Sequence, residues 1–248
     1  MAGPAESALV RGLGHLQRAQ EAIAQNLANA TSTAYKRRAV AAEGETPFAA
    51  ELRGALPELR TRSTLEVDTG SGALQPTGDR LHLAIDGDAW FGLRTDGDRV
   101  VLTRRGELSV DADGLLRTAN GDALLGRDGQ PISVAGARDW TVSPDGTIRG
   151  DFDGVDTLIG QVGLYHVAEP QRLSPLSAGR FEAPADLVVE PATTADAAIR
   201  QGYVEQSNVD AMLELVRMIG VQRGHEAQSR ALGTLHRLHT SFATQFDR

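Results

Sequence analysis

Residues 5–31 read AESALVRGLGHLQRAQEAIAQNLANAT, and within them Leu9, Leu13, Leu16, Gln20, Ile23, Leu27 and Ala30 recur at alternating steps of four and three. That spacing is a heptad seam with one polar position, so the stretch predicts a helix carrying a single apolar stripe. The rest of its surface is mostly Arg, Gln, Glu, Asn and Ala. A helix of this length is marginal alone in water, and its stripe calls for a second helix laid over it. Gly12 and Gly14 weaken the first half further, by about 1 kcal/mol each relative to alanine. They are either tolerated defects, or they let another helix approach closely or keep the segment unfolded until it assembles.

The far end of the chain supplies a second helix. No proline interrupts Asn208 to Phe246, and Ser207 followed three residues later by Asp210 resembles a capping box with the shorter acid. Val209, Met212, Val216 and Ile219 form one apolar run, and Ala231, Leu235, Leu238 and Phe242 form another. The stripe drifts across Arg223-Gly224-His225. The simplest arrangement pairs the two terminal helices as a coiled coil, with the whole middle of the chain between them.

That middle has a different character. Asp86-Gly87, Asp96-Gly97, Asp113-Gly114, Asn120-Gly121, Asp128-Gly129, Asp145-Gly146 and Asp153-Gly154 punctuate it as hairpin and tight-turn signals. Short apolar runs such as Leu81–Ile85, Val100–Thr103 and Gly160–Val167 lie between them. Together they predict an antiparallel β domain, a sandwich or a barrel-like body. The fold class expected is therefore α+β. Residues 1–35 and 203–248 form a helical coiled-coil domain, 36–64 an extended connector, and 65–202 the antiparallel β domain.

Composition narrows the function. The 248 residues carry a formal charge of −8, which disfavours a surface built to bind phosphate backbones. Aromatic residues make up only 4 %, so the core must be built from Leu, Val, Ile and Ala, and an aromatic-lined ligand pocket is not expected. The chain has no cysteine, which removes disulfides, thiolate zinc sites and a cysteine nucleophile. The start of the chain lacks a basic region followed by an apolar one, and no run of about 18 apolar residues occurs. Neither a cleaved secretory signal nor a membrane helix is expected.

Few residues suggest catalysis. Asp68-Thr69-Gly70-Ser71 copies the string of aspartic proteases, whose mechanism needs two carboxylates sharing a proton, yet the string occurs once. A peptidase half-domain using Asp68 is the alternative reading, against a turn leading into the β domain. His236 and His239 lie three apart, and Asp111-Ala112-Asp113-Gly114 resembles the start of a calcium loop, but neither completes a ligand set. No P-loop, Gly-x-Ser-x-Gly or Gly-x-Gly-x-x-Gly is present. No metal, cofactor or catalytic residue is expected. Arg37, Arg38, Arg53, Arg60 and Arg62 gather positive charge in the connector, either as a solvated linker or for docking onto acidic faces.

Several motifs resemble those of one family. Asn26-Leu27-Ala28-Asn29, followed by Thr31-Ser32-Thr33-Ala34-Tyr35-Lys36-Arg37, is similar to the N-terminal signature of bacterial flagellar rod and hook proteins. Gln25 stands where that signature has Asn, and Ala34 where it has Gly, so the backbone shape that a glycine permits is the point to check. Gln201-Gly202-Tyr203-Val204-Glu205-Gln206-Ser207-Asn208-Val209 resembles the C-terminal signature, which Met218-Ile219, Gln222-Arg223 and Glu226 continue. Gly72-Ala73-Leu74-Gln75-Pro76-Thr77-Gly78, Leu83-Ala84-Ile85-Asp86-Gly87, Thr103-Arg104-Arg105-Gly106 and Asp113-Gly114-Leu115-Leu116 are similar to the start of the family's β domain. Ala89-Trp90-Phe91 departs from its usual Gly and Phe.

The resemblance implies a structural rod subunit of proximal or distal type, self-assembling and not an enzyme. It also implies copies of itself, other rod or hook subunits and the flagellar type III export apparatus as partners. The expected place is the periplasmic rod of the basal body, with no nucleic acid bound and no membrane insertion. The residues expected to carry assembly are Leu9, Leu13, Leu16, Ile23, Asn26, Leu27, Asn29 and Tyr35 at the N-terminal end. At the other end they are Glu205, Ser207, Asn208, Val209, Val216, Ile219, Leu235 and Leu238.

Overall fold

A computed structural model describes residues 4–42, 63–192 and 197–246, leaving aside the side chains of 4–11, 41–42, 63–65, 235–236 and 238–246. The described residues form two units, one from within Met1–Asn29, Arg38–Asp68 and Val209–Arg248, the other from Ala30–Arg37 and Thr69–Asn208. The class is α+β, with two long helices and antiparallel strand pairing.

The first unit holds helix α1 (Pro4–Ala28), strands β1 (Arg38–Ala42) and β2 (Ser63–Val67), and helix α2 (Ala211–Phe246). Strands β1 and β2 pair antiparallel, with Arg38 opposite Val67 and Ala42 opposite Ser63. Arg38–Ala42 thus forms a paired strand inside the stretch 36–64 expected to be an extended connector; residues 43–62 lie outside the described part. The cap of α2 also differs from expectation. Asp210 caps it, its Oδ1 accepting from Met212 N at 2.9 Å and Leu213 N at 3.1 Å. Ser207, expected to open the helix, lies three residues before Asp210 and so precedes the helical residues, which begin at Ala211.

The helices meet through mixed side chains. Asn26 of α1 donates from Nδ2 to Glu214 Oε2 of α2 at 3.1 Å. A Cβ placed on Gly12 would lie 2.7 Å from Gln228 Nε2, and one on Gly224 3.4 Å from Leu16 Cδ2. Gly12 and Gly224 therefore make room for a side chain from the other helix. Gly14 does not: a Cβ there meets nothing within 4 Å. Gly14→Ala is accordingly expected to raise stability by about 1 kcal/mol through helix propensity alone. Gly12→Ala, which must displace Gln228, is expected to give no such gain. Urea midpoints of the two variants measure the difference, and equal midpoints would contradict it.

The second unit runs through β3 (Leu74–Pro76), β4 (Leu83–Gly87), β5 (Trp90–Arg94), β6 (Val100–Thr103), β7 (Leu108–Val110) and β8 (Leu116–Thr118). It continues with β9 (Ala123–Leu124), β10 (Asp139–Val142), β11 (Thr147–Phe152), β12 (Val155–Gln161), β13 (Leu164–Val167) and β14 (Ser174–Pro175). Strands β15 (Arg180–Glu182), β16 (Val189–Pro191), β17 (Ala197–Gln201) and β18 (Tyr203–Glu205) complete it. One sheet is ordered β14, β15, β6, β5, β9, β8, β7, with β13 joined to β5 and β16 to β13. A second is ordered β10, β11, β12, and the pairs β17–β4 and β18–β3 bring the last strands of this unit beside its first.

The turn chemistry explains the meander. Asp153 and Gly154 have φ of 52° and 88°, the two positive values of a type I′ turn, and they close the β11–β12 hairpin. Asp86-Gly87, expected as a turn, lies at the end of β4 instead, where Gly87 pairs with Ala197 of β17. Alternate strand residues such as Leu83, Ile85, Leu93, Val101, Leu116 and Ile148 fill the core. The scarce aromatics join them: Trp90 stacks edge-on against Phe181 with ring centroids 5.1 Å apart.

Candidate assembly interface

Two buried polar junctions and one bare apolar stripe distinguish the ends of the chain. In the helical unit Asn26 is fully buried. Its Oδ1 accepts from Arg38 N at 2.9 Å and its Nδ2 donates to Arg38 O at 2.7 Å, so the amide pairs with the first residue of β1 as a neighbouring strand would. The same Nδ2 donates to Glu214, a carboxylate with no exposed surface that also accepts from Arg217. At the end of α1, Asn29 Nδ2 donates to Gln25 O at 2.9 Å and satisfies a carbonyl of the last turn.

The second junction lies in the β unit and centres on Glu205, whose side chain is fully buried. Lys36 Nζ donates to Glu205 Oε1 at 2.6 Å and to Gly70 O at 2.7 Å, and Gly72 N donates to the same Oε1 at 2.9 Å. Arg104 Nε stands 3.2 Å from Glu205 Oε2 as an ion pair, without the angles of a hydrogen bond. Its terminal nitrogens donate instead to Gly87 O, Ala89 O and Ser71 Oγ, and its guanidinium lies over the Trp90 ring at 5.7 Å. Burial pushes the Arg104 pKa down, against the pull of Glu205 and Asp88. Asn208 completes the junction, accepting from Arg37 N at 2.7 Å and donating to Gly70 O at 3.0 Å.

The cluster stitches together three stretches far apart in the chain, 34–37, 70–72 and 205–208. Ala34 N donates to Glu205 O at 2.8 Å and Asn208 N to Tyr35 O at 3.3 Å. Ala34 has φ of 52° and is buried, so the left-handed shape expected of a glycine is kept by alanine, at a cost of about 1 kcal/mol. The Asp68-Thr69-Gly70-Ser71 string lies in the irregular stretch between β2 and β3, where the Gly70 carbonyl and the Ser71 hydroxyl accept from Lys36, Asn208 and Arg104.

Beside this junction Thr33 Oγ1 and Arg105 Nε each donate to Glu107 Oε2 at 2.7 Å. Burial alone would raise the Glu107 carboxyl, but these hydrogen bonds outweigh it and hold the group below its ordinary value. Asp111 is held low by hydrogen bonds from Arg117 and Leu115. Carboxylates depressed in the folded state add stability above their unfolded value of about 4 and lose it as pH falls through the folded value. The melting temperature is therefore expected to hold from neutral pH to about 4 and to drop below that. Glu107→Gln is expected to flatten the drop; an unchanged slope would contradict the assignment.

The stripe lies on α2. Met212 is 74 % exposed, Val216 64 % and Ile219 51 %, with Leu213 and Leu215 exposed beside them. The first apolar run of α2 therefore does not face α1. Among the described residues of α2 the half-buried positions are instead Arg217, Met218, Val221, Gly224, Gln228 and Leu232, following buried Glu214. On α1, Ile23 and Asn26 are buried, Leu13, Leu16 and Leu27 half-buried, and Gln20 exposed. The seam is thus turned by about one residue, with Asn26 where Leu27 was expected. Tyr35, Ser207, Asn208 and Val209 are half-buried. The side chains of Leu9, Leu235 and Leu238 lie outside the described part, as do those of His236 and His239. Sequence reasoning did not single out Lys36, Arg104 or Glu214; the first two stand inside quoted motifs, but nothing local marks them as partners of Glu205.

Two family models match the chain. Residues 200–243 match the flagellar basal body rod FlgEFG protein C-terminal model, and residues 84–150 the flagellar hook protein FlgE/F/G D1 domain. The flagellar basal-body rod protein FlgF of Mesorhizobium japonicum is 31 % identical over 85 % of this chain and 84 % of its own. The chain belongs to the flagellar basal-body rod protein family. Rod protein FlgF of Escherichia coli is 30 % identical over 87 % of each chain, and rod protein FlgG of Bacillus subtilis 27 % identical over 91 % of this chain and 92 % of its own. The C-terminal rod model spans Glu205, Asn208 and the bare stripe of α2, and the D1 model spans Arg104. Lys36 lies outside both, so one cation of the rod-protein junction comes from a stretch that neither model covers.

Proposed function

We propose that this chain is a structural, non-catalytic subunit of the bacterial flagellar rod that self-assembles through its terminal helices into a helical tube. The observation that carries the reading is the row of Met212, Val216 and Ile219, which the protomer leaves to solvent. An apolar stripe of that kind on a long helix calls for a partner surface, and heterologous contacts repeated around an open helix give a filament. Membership of the rod family supports the same assignment.

In this reading α1 and α2 pair as a coiled coil within the protomer, and the outer face of α2 packs on neighbouring subunits. Other rod or hook subunits extend the tube at either end. The assembled rod lies in the periplasm and carries torque from motor to hook. Export proceeds by the flagellar type III route, for which the glycines of α1 keep the first helix easy to unfold. Deleting the gene in the organism that encodes the chain tests the role. Basal bodies without a complete rod, seen by electron microscopy, are the expected result; normal flagella would overturn it.

A further inference from the structure

We propose that Asn26 and Glu214 set the register in which the two terminal helices pair, with Gly12 and Gly224 repeating the same setting further along. The inference rests on the helix pairing put forward above. Three separate contacts share one alignment. Gly12, which receives Gln228, lies two heptads before Asn26, and Gln228 lies two heptads after Glu214. Leu16 and its acceptor Gly224 lie ten residues from Asn26 and from Glu214 in the same opposed directions. The helices are thus antiparallel, and the three contacts agree on the offset.

Away from Leu16 and Gly224, the apolar part of the seam fixes that offset only weakly. Ala19, Ala22 and Met218 are small or pliable, and Ile23 and Val221 are apolar residues, of which Ile23 would meet the small Gly224 after a slip of one heptad, about 10 Å along the axis. The polar pair does not tolerate it. The Asn26 amide uses Oδ1 and Nδ2 on Arg38 and its remaining donor on Glu214, all without exposure. A one-heptad slip sets that amide against Val221 and takes from buried Glu214 Oε2 the donor that Asn26 supplies, leaving only Arg217 of the same helix on Oε1. Buried polar groups at helix interfaces are known to specify register in this way, at some cost in stability.

The chain has no cysteine, so disulfide trapping in the full-length protein reads the register directly. Ala19→Cys with Val221→Cys reports the native alignment, and Ala19→Cys with Gln228→Cys the slipped one. In the native background the first pair is expected to close at least about tenfold faster than the second, the ratio that stranding one buried polar group implies. In the Asn26→Leu, Glu214→Leu background helicity is expected to remain and the ratio to fall to near one, while Glu214→Gln, which keeps an acceptor for Asn26, retains the preference. If the double variant still links only Ala19→Cys to Val221→Cys, or loses its helicity altogether, the register role is overturned. Failure of that native pair to close in the native background would overturn the helix pairing itself.

Discussion

Glu205→Ala is expected to destabilise the protein by about 3–5 kcal/mol, the cost of removing one member of a buried ionic cluster. The carboxylate stands between Lys36 and Arg104, whose side chains are 1 % and 2 % exposed. Without it two cations remain in a site that water cannot reach, and Gly72 N loses its acceptor. Glu205→Gln preserves the shape and is expected to cost nearly as much, because the charge rather than the volume is what the cations require. Lys36→Met is expected to cost less, since Arg104 and Glu205 stay paired. Urea unfolding of the three variants measures the order. A Glu205→Ala protein within about 1 kcal/mol of the parent would mean that the cluster is not a principal tie of the β unit.

Val216→Asp carries the second large effect, and it falls on assembly. Val216 is 64 % exposed in the protomer, so a charge there meets water and stability is expected to stay within about 0.5 kcal/mol. In a tube whose subunits bury that stripe, the same carboxylate is desolvated without a partner, and several kcal/mol of contact energy are lost at every interface. Cells carrying only the variant are therefore expected not to swim, although the purified protein melts at the parental temperature. Normal swimming would remove the outer face of α2 from the interface.

How far the sequence reveals this architecture depends on the kind of interaction. The heptad spacing of Leu9 to Ala30 and the proline-free run to Phe246 mark both helices, because helical period is a local property. Which face of α2 turns inward is not local. The apolar run Met212, Val216, Ile219 is the more obvious seam, yet the face toward α1 carries Glu214, Gly224 and Gln228. Hydrophobic period cannot register a groove made by glycine or an amide paired with an acid. The cap misleads because Ser207 and Asp210 both suit a cap by residue type, and the amides that Asp210 accepts from are what distinguish it. Asp-Gly pairs locate most hairpins, but Asp86-Gly87 ends a strand because β17 supplies a partner there. The Lys36–Glu205–Arg104 cluster joins positions remote in the chain, so its residues are visible as motif letters and their pairing is not.

The central claim is that the chain is a built-in part of the rod, and purified hook–basal bodies test it most directly. A small tag on the chain, expressed in its own organism, allows immunoblotting and gold labelling of those particles. The chain is expected to co-purify with them and the gold to label the rod. Its absence from intact hook–basal bodies, in cells that swim and make the protein, would contradict the account.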